Sequence, residues 1–127
     1  MLSKVFITKL ILYYAAINGL NGQVALSVAK NESSLRPNAI GKAKEVGIYQ
    51  LKSQYVKGYT REQLFDPIIN IKVGIYKLLD AKRTCKHQVK NTWLLCFNRG
   101  SSGAIKVKYP EQDRYVLRTE KIIASLK

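Results

Sequence analysis

Carboxylates are scarce in this chain. It has 8 Asp and Glu against 22 Lys and Arg over 127 residues, a formal charge of +14. Most sugar-cleaving and metal-dependent sites draw on several acids, so few such sites can be built here. The single histidine, His87, lies two residues from Cys85, but no second pair exists to complete a zinc site, and no metal or cofactor is expected. The two cysteines, Cys85 and Cys96, allow one bridge at most. Cys96 sits in an apolar run beside Trp93 and Leu95, which favours a buried free thiol, with a disulfide as the alternative. Repeats, low-complexity stretches and linkers are missing, so one domain over residues 1–127 is expected. There is no arginine-rich block and no strand that interleaves aromatic and basic residues. A nucleic-acid partner therefore has only the charge in its favour, and none that is specific is expected.

What is present is a folded, mainly helical chain. Apolar content of 46% supports a core, and a domain of this length buries roughly two-thirds of its unfolded surface. Lys4 followed by "VFITKLILYYAAI" has the look of a leader. However, Lys9 breaks the run and no small-x-small cleavage site follows, so a core helix over about Ser3 to Ile17 is expected, with a leader as the alternative. Phe6, Leu10, Tyr13 or Tyr14 and Ile17 would form its buried line. "NGLNG" makes a turn, a second helix covers about Gln23 to Ser33, and 38–45 is a polar loop. "VGIYQL" reads as a short strand or a helical turn. Thr60 with Gln63 predicts a capping box, and Asp66-Pro67 predicts a cap with proline at the first helical position. From there Ile68, Ile71, Ile75 and Leu78 should face the core. "NTWLLCFNRG" predicts a buried helix closed by Gly100, then "SSG" as loop, then a last helix over about Glu111 to Leu126 that carries Tyr115, Ile122 and Leu126.

Glu32 stands out among the few acids. Ala25, Val28, Ala29 and Glu32 fall at i, i+3, i+4 and i+7, so the carboxylate continues an apolar face. Loss of solvation there favours the protonated form, which is what a general acid near neutral pH requires. Taken alone, an acid that turns outward at a fraying helix end is the simpler reading.

Four further blocks follow Glu32 in order. "ESSLRPNA" supplies Glu32, Ser33, Leu35, Pro37 and Ala39, and "GIYQL" supplies Gly47, Ile48, Gln50 and Leu51. "DPIINIKVG" supplies Asp66, Pro67, Asn70, Ile71 and Gly74; "FNRG" supplies Asn98 and Gly100; "EQDRYV" supplies Glu111, Tyr115 and Val116. In this order and spacing the chain resembles the soluble lytic transglycosylases, whose domain is similar to goose-type lysozyme. The resemblance covers about residues 10–120 and implies a mainly α, lysozyme-like domain with a cleft and little or no β structure.

It also implies an enzyme that cleaves the β-1,4 bond between N-acetylmuramic acid and N-acetylglucosamine in peptidoglycan, leaving a 1,6-anhydro end, with Glu32 as the single acid and base. A hydrolytic muramidase and a silent peptidoglycan-binding module are the alternatives. By the same resemblance Gln50 would bind an N-acetyl or similar amide, while Phe97 and Tyr115 would wall the cleft and stack on sugar, Tyr115 having core packing as its alternative. Asn98 and Glu111 would bind substrate, or serve instead as a helix C-terminal residue and as a charge at a helix start. Ser33 would hydrogen-bond the acid or cap locally.

The chain departs from the pattern where Tyr49 replaces a methionine, Lys44-Glu45 replaces Gly-Ala, Gly41 replaces a serine and Phe97 replaces a tyrosine. Peptidoglycan strands and anionic envelope polymers are the expected partners, a monomer the expected state, and the bacterial envelope the expected place of action. The compact form resembles phage-encoded wall-degrading proteins, virion-carried or released at lysis, with conjugation and secretion machines second.

Overall fold

The computed structural model describes residues 2–127. Among the described residues six α-helices form in order: α1 (Lys4–Ile17), α2 (Gly22–Ser33), α3 (Arg61–Leu64), α4 (Pro67–Thr84), α5 (Leu94–Ala104) and α6 (Arg114–Ser125). Among the described residues there is no strand, only isolated bridges joining Val46 to Ile40 and to Leu51. The mainly helical architecture expected from the pattern is therefore the one observed. The chain divides into two compact units, one running through Ile75 and the other from Tyr76 to Lys127, so the boundary falls inside α4.

In the first unit α1 packs on α2. Ser3 caps α1 by accepting from the Phe6 N–H at 3.1 Å, and Gly19 takes a left-handed φ of 72° in the turn that follows. The expected buried line is wrong here. Ile7, Ile11 and Ala15 are sealed, whereas Phe6, Tyr13 and Ile17 are 42%, 59% and 61% exposed. The helix is apolar almost all the way round, so periodicity cannot choose a face. Packing against α2 selects the i, i+4, i+8 row instead.

α2 starts at its cap, Asn21, which accepts from the Val24 N–H at 3.1 Å. It ends in two left-handed residues, Ser34 and Leu35, with φ of 55° and 62°. The Arg36 Nε–H donates to the freed Ser33 carbonyl at 3.0 Å, and Pro37 prevents any continuation.

Residues 46–51 resolve the strand-or-helix ambiguity as a tight hairpin. Val46 and Leu51 exchange both main-chain hydrogen bonds, at 2.9 and 3.0 Å, around Gly47–Gln50. The expected capping box is present: Gln63 N–H donates to Thr60 Oγ1, and Thr60 N–H donates to Gln63 Oε1. Asp66 Oδ1 accepts from Ile68 and Ile69 ahead of α4, as its place before Pro67 implies. Along α4, Ile71, Ile75 and Leu78 are buried as expected, but Ile68 is 44% exposed and the buried polar position in that first turn is Asn70.

In the second unit the cysteines are paired, contrary to the expected free thiol. Cys85 and Cys96 are bridged with Cα atoms 5.8 Å apart, joining the residue just after α4 to the first turn of α5. Closing a loop of 11 residues in sequence separation restricts the unfolded chain and contributes about 3 kcal/mol. Gly100, with φ 76° and ψ 164°, breaks the helix as expected, but "SSG" is not loop: helical turns resume through Ala104.

Leu95, Ala104 and Val116 form a small core with Cys96 and Val107 against it. His87 Nε2 lies 2.8 Å from the Ala104 carbonyl, which only accepts, so that nitrogen carries the proton. The last helix begins later than expected. Pro110–Gln112 is one turn of 3-10 helix, and Asp113 caps α6 by accepting from the Tyr115 and Val116 N–H groups. Its fully buried positions are Val116 and Thr119, while Tyr115, Ile122 and Leu126 are half-buried.

Candidate active site

Glu32 lies in the last turn of α2, one residue before the helix ends. Ala25, Val28 and Ala29 on its face are fully buried and Glu32 itself is half-buried, so the carboxyl does continue the apolar row into a partly exposed position. Ser33, next to it, is 3% exposed. Its hydroxyl is 2.8 Å from the Ile48 carbonyl and 3.2 Å from that of Ala29, which ties the end of α2 to the 46–51 hairpin.

The hairpin is held from behind by Asn70. Its Oδ1 accepts from the Tyr49 N–H at 2.8 Å, and its Nδ2 donates to the Val46 and Leu64 carbonyls at 3.0 and 2.7 Å. An amide with a donor and an acceptor side is suited to this double duty. Gly47 explains itself in the same place: its φ is 80°, and a β-carbon there would run into the Asn70 amide. A β-carbon at Gly74 would likewise enter the Tyr49 ring. Tyr49 is sealed, its hydroxyl donating to the Ala25 carbonyl at 2.7 Å, and burial raises its pKa well above the ordinary 10.0. The tyrosine that replaces the family methionine thus adds a bond from the hairpin back to α2.

Gln50 sits at the hairpin's end with φ of 51°. Its Nε2 donates to the Ala39 and Gly47 carbonyls at 3.1 and 2.9 Å, and its Oε1 lies beside Gly41. Glu45, expected in an exposed stretch, is instead half-buried. Its Oε1 accepts from the Ala43 N–H at 2.7 Å. The Gln50 and Glu45 oxygens both lie where a side chain at Gly41 would start, at 2.6 and 2.9 Å, so a residue larger than glycine there would have to displace these two side-chain ends.

The second unit carries the other candidates. Phe97 is half-buried and Asn98 exposed on α5 directly after the bridged Cys96. Arg99 Nη2 donates to Asp113 Oδ2 at 2.7 Å, drawing the Phe97–Asn98 segment toward the start of α6 and its half-buried Tyr115. Asp113 is nearly sealed, with 6% of its side chain exposed, so this ion pair is worth more than a surface one. Glu111 is exposed in the 3-10 turn; the helix-start role belongs to Asp113. Asn70, Glu45 and the Arg99–Asp113 pair were not among the candidate residues. Asn70 stood in the matched pattern, but its three main-chain partners are distant in sequence.

A sealed hairpin braced by a buried asparagine thus adjoins the helix end that carries Glu32. A model of the transglycosylase SLT domain matches residues 9–115, a span that takes in both units and every candidate residue. The chain belongs to this family, whose members are peptidoglycan lytic transglycosylases with a lysozyme-like all-α fold, and it is an enzyme of that kind acting on peptidoglycan. No curated protein matches it.

Proposed function

We propose that the enzyme cleaves the β-1,4 bond between N-acetylmuramic acid and N-acetylglucosamine, with Glu32 as acid and then base. The protonated carboxyl gives its proton to the glycosidic oxygen as the bond to the muramic C1 breaks. The carboxylate then removes the proton of the C6 hydroxyl as that oxygen closes on C1. The product is a 1,6-anhydro end, Glu32 returns to its starting state, and no water is consumed. This sequence needs one carboxylate where most glycosidases need two.

The observation that carries the reading is the position of Glu32: half-buried on the row of Ala25, Val28 and Ala29, beside a serine that fastens this helix end to the Gln50 hairpin. Gln50 Oε1 accepts an N-acetyl N–H, and Ser33 positions the acid's helix end instead of touching sugar. Phe97 and Tyr115 offer ring faces to the saccharide, and Asn98 and Glu111 bind its polar groups. The place of action is the bacterial envelope, where the charge of +14 concentrates the enzyme on anionic wall polymers and an oxidising medium keeps Cys85 and Cys96 joined.

Glu32→Gln tests the assignment, since it removes the transferable proton and keeps the shape. Release of soluble fragments from purified sacculi should fall by about a hundredfold to ten-thousandfold, the range general acid–base transfer is worth, with the melting temperature unchanged. A variant that digests at the parental rate removes Glu32 from the chemistry.

A further inference from the structure

The outward face of α1 is apolar and bare. At 100° per residue Val5, Leu12 and Ala16 fall on one side of this face and Phe6, Tyr13 and Ile17 on the other, with Lys9 between them. All seven are exposed, Val5 to 67% and Ile17 to 61%. A helix that is apolar on both faces normally has something covering each. α2 packs on the other side of α1, and its first residue, Gly22, reaches only the edge of this face at the Leu12 side chain.

Charge indicates what covers this face. Residues 1–31 contain no carboxylate, Glu32 being the first in the chain. Lys4 and Lys30 line a shared groove with Val5, Thr8, Ser34 and Leu35 at one end of α1, and the Lys72 ammonium lies 5.9 Å from the Tyr14 ring on its flank. Lysines therefore rim an aliphatic and aromatic face. A second copy is a poor occupant, because each chain carries +14 and would bring the same cations together. α1 is 14 residues, and among the described residues no helix is long and apolar enough to cross a bilayer, so the geometry is that of a helix lying in the interface.

We propose that α1 is a membrane-surface docking helix that lays Val5, Phe6, Leu12, Tyr13 and Ile17 into the headgroup region of an anionic phospholipid bilayer. Lys9 keeps its stem among them and reaches its ammonium to the lipid phosphates. The surface is separate from the residues assigned to catalysis, so it stands whether or not Glu32 does the chemistry.

Co-sedimentation of the full chain with sucrose-loaded vesicles tests it. Vesicles containing phosphatidylglycerol should bind at least about tenfold more tightly than phosphatidylcholine vesicles. The triple variant Phe6→Ser, Tyr13→Ser, Ile17→Ser, altered only at exposed positions, should lose about tenfold on the anionic vesicles while keeping its circular dichroism and its rate on soluble glycan fragments. Binding of the triple variant equal to that of the parent overturns the proposal, because charge alone would then account for attachment. So does a failure of the parent to bind anionic vesicles, or a dimer in sedimentation equilibrium that the triple variant abolishes. Should the triple variant fail to fold, Tyr13→Ser alone must still weaken anionic binding measurably, and no change in it has the same overturning force.

Discussion

Replacing Asn70 with alanine should be among the most damaging single changes in the chain, although Asn70 touches no substrate in the proposed reaction. The side chain is 1% exposed and makes three hydrogen bonds to main-chain groups. Removing it takes from the Leu64 carbonyl its 2.7 Å donor and from the Tyr49 N–H its 2.8 Å acceptor, while Val46 O keeps the Leu51 N–H. A buried group deprived of its partner costs about 1–3 kcal/mol, so two such groups give about 2–6 kcal/mol, to which a small void adds. Against a total stability of about 5–15 kcal/mol this is a large fraction. With a urea slope of about 2 kcal/mol per M, the unfolding midpoint should fall by roughly 1–3 M.

Asn70→Asp provides the sharper comparison. It keeps the volume and the acceptor toward Tyr49 but replaces the doubly donating Nδ2 by one oxygen facing two carbonyls, so it should destabilise at least as much as alanine at neutral pH. If Asn70→Ala costs less than about 1 kcal/mol, or Asn70→Asp is milder than alanine, the amide is not what braces the hairpin.

Other consequences can be checked alongside. Tyr49→Phe should lose about 1 kcal/mol in denaturant unfolding, the hydrogen bond to the Ala25 carbonyl being removed without a cavity. Cys85→Ser with Cys96→Ser should cost about 3 kcal/mol in calorimetry, and the same loss should follow reduction of the parent. Lys77 has its pKa lowered by desolvation, with the charge of Asp80 opposing, so the folded state disfavours its ammonium. Lys77→Met should therefore stabilise at pH values below the lowered folded value. That advantage should fade as pH rises through the lowered folded value toward 10.5, as melting temperatures across the pH range would show.

Local chemistry was legible in the sequence where it decides the structure by itself. The Thr60–Gln63 box and the Asp66-Pro67 start depend on groups three residues apart, and both form as read. The Glu32 row was legible for the same reason, since helical spacing alone puts it with Ala25, Val28 and Ala29. The face of α1 was not, because apolar residues surround the helix and only contact with α2 distinguishes Ile7 from Phe6. Pairing of Cys85 and Cys96 depends on a Cα separation that no spacing rule supplies. Ser33 and Gln50 could be chosen from the pattern, but the direction of their hydrogen bonds toward Ile48 and Ala39 is set by partners 15 and 11 residues away.

The most direct test of the proposed reaction is the mass of the glycan ends released from purified sacculi. Intramolecular closure by the C6 hydroxyl predicts muramic ends lighter by one water than reducing ends, absent from digests with Glu32→Gln. Ends carrying the full water would show that solvent attacks C1 and would contradict the single-carboxylate mechanism.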